Sequence, residues 1–292
     1  MRASMNTAVA REHPANSQPR LWSPPWTFLG IARRAQRPRS VVVFAWAVGV
    51  AFTIAAAALC LFGWGWAPAL DAAIAKLPDS GQIRRGQLEW REPTPQTLVE
   101  TRFFSVAIDL ANQSRSGQAS DIGLKFGGEG IRFYSLLGFF AVPYPTGYVF
   151  DFNRPAVQPW WGAWKQTLLV GASLLVGMFF LGVWCAVAVV YAAPVRFVSW
   201  IARRELDWRG CWRLALAAQL PGGFLFAVMA GLYAAQQLTF LAFLVAGGLT
   251  FGLAWVYLLI APFRLERKPQ SPRGNPFAAP PNPFAQSGER LS

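Results

Sequence analysis

The chain has one histidine, three cysteines and only 14 acidic residues in 292. Each scarcity closes off a chemistry. His13 stands in a polar, arginine-rich lead, so the rest of the chain has no histidine for a catalytic triad, a general base or a metal site. Cys60 and Cys185 fall inside apolar runs, and Cys211 lies in a basic loop. None falls between 67 and 158, which excludes a disulfide framework there, and no Cys-x-x-Cys pair occurs anywhere. Charge is missing most systematically. Residues 41–62, 167–191, 214–232 and 238–260 contain no Asp, Glu, Lys, Arg or His. At about 1.5 Å rise per residue, each run is long enough to cross a hydrocarbon core of about 30 Å as a helix.

The charge that is present is unevenly placed. The formal net charge of +13 would suit nucleic acid if it were spread over one soluble face. Instead, the lead before the first run carries seven arginines against one glutamate. The stretch between the second and third runs has Arg196, Arg203, Arg204, Arg209 and Arg213 against Glu205 and Asp207. The tail has five basic residues against two acidic ones, while the long insert is nearly balanced at ten to nine. This partition follows the positive-inside rule, with both termini cytoplasmic and the insert outside. It predicts anionic lipid, and no nucleic acid, as the partner of the arginines.

Read along the chain, residues 1–40 form a cytoplasmic lead, disordered over 1–20. It carries a short segment, 21–31, whose Trp22, Trp26 and Phe28 beside Arg33 and Arg34 suit an inner membrane surface, or else a plain linker. The run at 41–62 is too long for a cleavable signal and reads as an uncleaved anchor ending at Trp64 and Trp66. Residues 67–158 read as a small α+β domain. They comprise a short helix over 70–77, an alternating stretch from 87, a strand over 102–110, a polar turn region, and a hairpin of 121–126 and 130–134 around Gly127-Gly128-Glu129. The apolar stretch 134–148 is too short and too Pro-interrupted to span. Its expected role is a core strand, the alternative being a surface on the outer leaflet. Helices follow at 167–191, 214–232 and 238–260, with an interfacial helix or tight loop at 194–213 and a Pro-rich disordered tail over 264–292.

Few constellations carry chemistry. The insert's carboxylates show no selective spacing, and Gly127–Gly130 lacks the Lys-Ser/Thr end of a phosphate loop, so it reads as a turn. Asp109, at the end of the best strand, and Asn112, in the following turn, are the insert's ligand-binding candidates, against simple turn capping. Gln219 beside Pro221 marks an expected kink in the third helix and supplies the other candidate pair. Ser173-x-x-x-Gly177 and Gly248-x-x-x-Gly252 fit close helix contact, within one bundle or in a homo-oligomer. The repeated Asn-Pro-Phe at 275–277 and 282–284 reads as part of a low-complexity tail. No catalytic residue, metal or cofactor is expected.

Several segments resemble a family of uncharacterised bacterial membrane proteins, a domain-of-unknown-function family similar in layout to the Yip1-type helical bundles. They are Leu77-Pro78 followed by Ile83-Arg84-Arg85-Gly86-Gln87-Leu88, then Phe104 through Leu110, Asp121-Ile122-Gly123-Leu124 to Ile131, and Arg213-Leu214-Ala215-Leu216-Ala217 into Pro221. The resemblance implies one helix, an extracytoplasmic β-containing insert and then a helical bundle, and it carries no activity. Residues 133–159 match nothing in it. The expectation is an α-helical integral membrane protein with four transmembrane helices and a small extracytoplasmic α+β insert domain. It would be a multi-pass protein of the bacterial cytoplasmic (inner) membrane, non-enzymatic, and serve envelope sensing or binding of an envelope protein. The alternative is a small transporter or lipid-handling subunit using the kinked third helix.

Overall fold

The computed structural model describes residues 27–36, 40–111, 120–204 and 206–265. The expectations for the lead before 27, for Asn112 and for the tail after 265 lie outside them. Helix α1 spans Phe28–Gln36. Helix α2 spans Ser40–Cys60, continues through a π-helical turn at Leu61–Trp66, and runs on as α3, Ala67–Ala75. Helix α4 spans Arg154–Ile201, α5 spans Trp208–Ala234, and α6 spans Phe240–Ile260 with a short 3-10 turn to Arg264. Among the described residues, four helices are long and apolar enough to cross a membrane.

The helices outrun their apolar cores. The 167–191 run is the middle of a 48-residue helix, about 70 Å long at 1.5 Å per residue. Its start is fixed by Asn153, whose side chain accepts from the Ala156 N–H at 3.0 Å, a cap placed well ahead of the expected start at 167. It passes through Pro194 to Ile201, so the expected 194–213 element is the end of α4, a tight turn, and the start of α5. Likewise Trp64 and Trp66 do not close α2. The π turn widens the backbone there, and Gly65 lets the Phe103 ring approach to 2.9 Å of where a Cβ would stand. The short helix expected over 70–77 is therefore an extension of the first long helix, with Pro68 tolerated in its first turn.

Helix α5 is the centre of the bundle and packs against α1, α2, α4 and α6. Small residues make this possible. Ala215, Ala217 and Ala218 are buried, and Gly222 and Gly223 lie where a Cβ would strike the Thr250 carbonyl at 2.7 Å and the Trp184 ring at 2.5 Å. The Ser173/Gly177 pair is buried, with Gly177 against the Ala51 carbonyl of α2. Gly248 and Gly252 behave differently. Nothing lies within 4 Å of a Cβ built on either, so this motif does not serve packing inside the bundle. Helix α1 is tucked in too, with Ile31 fully buried and Phe28 against Tyr257 at 4.5 Å.

The insert holds two sheets. Strands β1 (Gly81–Arg84), β2 (Gln87–Trp90) and β8 (Val149–Asp151) form one, in the order β2-β1-β8. Strands β3 (Gln96–Glu100), β4 (Phe104–Ile108), β5 (Ile122–Phe126), β6 (Gly130–Ser135) and β7 (Gly138–Pro143) form the other in sequence order. Within it β4 and β5 are parallel, and the other neighbours are antiparallel. The expected strand at 102–110 and hairpin at 121–134 thus correspond to β4, β5 and β6. The 134–148 stretch departs from its expected role. Its strand β7 is the sheet's edge and is exposed at all six positions, and only Tyr144 of the stretch is buried. An all-apolar run reads as a strand covered on both faces, but among the described residues no further element covers either face of the edge.

The register orients the sheet. Phe104, Ile122, Ser135 and Gly138 form one row at one end, and Ile108, Phe126 and Ile131 lie at the other. The first row faces the bundle, as the contacts below establish.

Candidate functional site

Arg102 precedes β4 and lies at the bundle end of the sheet. Its Nη1 donates to the Gln236 carbonyl at 2.9 Å, and its Nη2 donates to the Leu238 carbonyl. Both acceptors belong to the turn between α5 and α6, where the last carbonyls of a helix otherwise lack partners. Beside it, the buried Tyr233 of α5 donates its hydroxyl to Asp121 Oδ2 at 2.7 Å, just ahead of β5. The Phe103 ring meets Tyr233 edge-on at 5.2 Å, and Phe243 of α6 stacks on it at 5.1 Å. A second fastening joins the two long helices. Trp161 and Lys165, one turn apart on α4, donate to the two oxygens of Asp71 on α3 at 2.7 and 2.6 Å. The sheets' apolar core, with Leu98, Phe104, Val106 and Ile108, merges through Tyr233 and Phe240 with the ends of α5 and α6. The insert is therefore clamped to the bundle by charge-assisted bonds and by packing.

Three clefts among the described residues bear on function. The first lies at the sheet end away from the bundle, has a volume of about 490 Å³, and is walled by Gln87, Asp109, Glu129 and Arg132. Asp109 is buried there, and its backbone N–H donates to the Phe126 carbonyl at 2.9 Å. Residues Gly127–Gly130 form the expected turn, with Leu88 N–H on the Gly128 carbonyl (2.8 Å) and Tyr144 Oη on the Gly127 carbonyl (3.1 Å). Burial pushes the Tyr144 hydroxyl well above its ordinary pKa, so it remains a donor at every physiological pH. Mixed charge beside backbone edges suits a polar or peptide-like ligand.

The second cleft, about 330 Å³, lies within the bundle between α4, α5 and α6. Gln219 and Gly222 line it with Phe180, Trp184, Phe226 and Thr250. Gln219 is buried, and its amide nitrogen donates to the carbonyls of Trp184 and Ala215, both at 3.2 Å. The amide staples α4 to α5, leaving an apolar chamber. Pro221, where a kink is expected, lies inside α5, which continues as one helix through it. What Pro221 removes is the N–H that would serve the Ala217 carbonyl.

The third cleft, about 350 Å³, lies at the bundle end away from the sheets and is lined by Arg196, Ser199, Trp200, Arg203, Arg204 and Leu206. The buried Ser199 hydroxyl and the Arg204 Nε have no hydrogen-bond partner among the described residues. Their donors, beside two further arginines, suit an anion.

Of the residues singled out from sequence, Asp109 and Gln219 line different clefts in different parts of the molecule, and Asn112 lies outside the described residues. Arg102, Asp121, Tyr233 and Asp71 were not singled out. Their partners are about a hundred residues away in sequence, and the only local signal was the i, i+4 spacing of Trp161 and Lys165. No family model matches this chain, and no curated protein or solved structure matches it.

Proposed function

We propose that the four helices cross a bacterial cytoplasmic membrane with both termini on the cytoplasmic side. On this reading the sheet domain stands outside as a non-enzymatic module that binds an envelope partner or reports envelope state. The observation that carries it is the clamp. A domain fixed to the ends of α5 and α6 through Arg102, Asp121 and Tyr233 passes a load on its far end directly into the central helix. The charge partition supports the orientation, and it leaves the arginine-lined third cleft for anionic lipid headgroups. The layout resemblance to the bacterial family belongs to the same proposal, as does a homo-oligomer formed through the open Gly248/Gly252 face of α6.

A photo-crosslinking residue at Glu129, compared with one at Lys76, tests the binding role in intact cells. A discrete crosslinked partner at Glu129 alone supports it, and identical patterns at the two positions overturn it. Orientation is tested by single cysteines at Ser80 and Arg209, with Cys60, Cys185 and Cys211 replaced. Labelling of Ser80→Cys alone by an impermeant reagent is the expected outcome, and labelling of Arg209→Cys alone inverts the topology. A second reading, lipid handling or small-solute transport, is favoured by the apolar chamber at Gln219. It fails if Gln219→Ala and Pro221→Ala leave every phenotype of a deletion strain complemented.

A further inference from the structure

The β6–β7 hairpin is built unlike a sheet edge that faces water. Edges are ordinarily blunted by charge, bulges or short length, yet β7 reads Gly138-Phe139-Phe140-Ala141-Val142-Pro143 without a charge. Its two-residue turn is Leu136-Leu137, closed by Gly138 at φ +123°, a conformation an L side chain rarely adopts. Leu136 is 59% exposed, Leu137 78%, Phe139 71% and Phe140 60%. Successive strand residues point to opposite faces, so Phe139 beside Tyr134 and Phe140 stacked on Phe133 make both faces apolar.

The register says where this tip lies. Ser135 pairs with Gly138 and with Ile122, and Ile122 pairs with Phe104, so the turn belongs to the row facing the bundle. One residue before that row, Asp121 and Phe103 meet Tyr233, and Arg102 holds the α5–α6 turn. At about 4.8 Å per strand, β7 stands about 10 Å to the side of β5, level with the ends of α5 and α6 and beside them. The apolar rows run unbroken only as far as Phe133/Phe140. The next row holds Arg132, paired across to Lys125, and beyond it one face is apolar again at Ile131 and Val142. Three residues at about 3.4 Å place the backbone of the Arg132 row about 10 Å above the tip, with the Lys125 ammonium over the Tyr134 ring at 4.9 Å. A segment lying in a membrane interface buries about 5–10 Å of apolar depth, with cations at the phosphates above it.

The geometry points to a lipid site: the Leu136-Leu137 tip, with Phe139 and Phe140, inserts into the outer leaflet beside the bundle, and Arg132 and Lys125 sit at the headgroup phosphates. This rests on the membrane-spanning reading above and adds a second, monotopic attachment to it. Hydrocarbon is the occupant because, on the membrane-spanning reading, the tip stands level with the ends of α5 and α6 and is apolar on both faces. A protein partner docking on one face would leave either Phe139 or Phe140 in water, and pairing with a second β7 edge would cover backbone while leaving both rings and both leucines exposed.

The test uses the full chain, with its native cysteines replaced, in vesicles of phosphatidylethanolamine and phosphatidylglycerol. Nitroxide labels are placed singly at Leu137, at Glu129 on the opposite end of the sheet, and at Val170 on the exposed face of α4. Accessibility to oxygen and to a water-soluble nickel chelate is read at each. The expected result is an oxygen-to-nickel ratio at Leu137 severalfold above that at Glu129 and close to that at Val170. A Leu137 ratio equal to Glu129 while Val170 stays in hydrocarbon overturns the hairpin proposal alone. A water-accessible Val170 overturns the membrane reading and the hairpin proposal with it. Dipolar broadening at Leu137 that disappears on dilution with unlabelled chain assigns the tip to a second copy and overturns the lipid site.

Discussion

Replacing Tyr233 by Phe deletes a single hydroxyl and leaves the ring that Phe103 and Phe243 pack against. The hydroxyl donates to a carboxylate at 2.7 Å from a buried position, so the bond is charge-assisted and shielded from water. Hydrogen bonds to charged groups contribute about 1.5–3 kcal/mol. At about 1.4 kcal/mol per decade, the clamp should open about 10- to 150-fold more often in the variant. Hydrogen exchange reports this directly in the amides of β4 and β5 at their bundle ends, with the interior of α5 as an internal reference. Asp121→Asn, alone and combined with Tyr233→Phe, completes a double-mutant cycle, and its coupling should carry most of the loss. Exchange at Ile122 and Phe104 changed less than twofold by Tyr233→Phe, or a coupling near zero, would refute the view that this pair holds the domain.

Other perturbations separate packing from open surface. Gly177→Leu drives a side chain into the Ala51 carbonyl and should destabilise the bundle by about 1–3 kcal/mol, read as a lowered midpoint in detergent unfolding, whereas Gly252→Leu should leave the monomer's midpoint unchanged. Asp71→Ala removes the acceptor shared by Trp161 and Lys165. Because both groups are partly exposed the loss should stay within about 1 kcal/mol, seen as faster exchange confined to α3 and the start of α4. Gln219→Leu loses two bonds to carbonyls, each contributing about 0.6–1.7 kcal/mol in an apolar interior, so a destabilisation beyond about 3.4 kcal/mol would mean the amide does more than staple α4 to α5.

The four long helices were legible because a charge-free run of about twenty residues has few other folded uses. Their ends were not, since capping, a π turn and two tolerated prolines extend them past the apolar core. Asn153 and Asp207 carry ordinary cap chemistry, but one lies 14 residues ahead of the apolar run that begins at 167, and nothing local ties the two together. Strands β4 to β6 were readable from β-branched and aromatic content, whereas the parallel pairing of β4 with β5 was not. It spends a long connection to gain contacts that exist only after the sheet has formed. The clamp was invisible for the same reason: Arg102 and Tyr233 are unremarkable residues until a chain reversal of more than a hundred positions brings them to one place.

The misassigned stretch 134–148 is the instructive one. An apolar run is evidence that water is avoided, and in a soluble domain the interior is the one place where that happens. A domain clamped to a bundle of apolar helices has a second such place, its own underside. Both faces of β7 are apolar near the turn, whereas a strand closing a two-layer core alternates. That two-sided pattern stops where Arg132 and Lys125 begin. On the proposed lipid reading, the distinction between a core strand and a membrane-facing one lies in the position of its first charged row, which has meaning only once the register shows which end of the sheet the bundle holds.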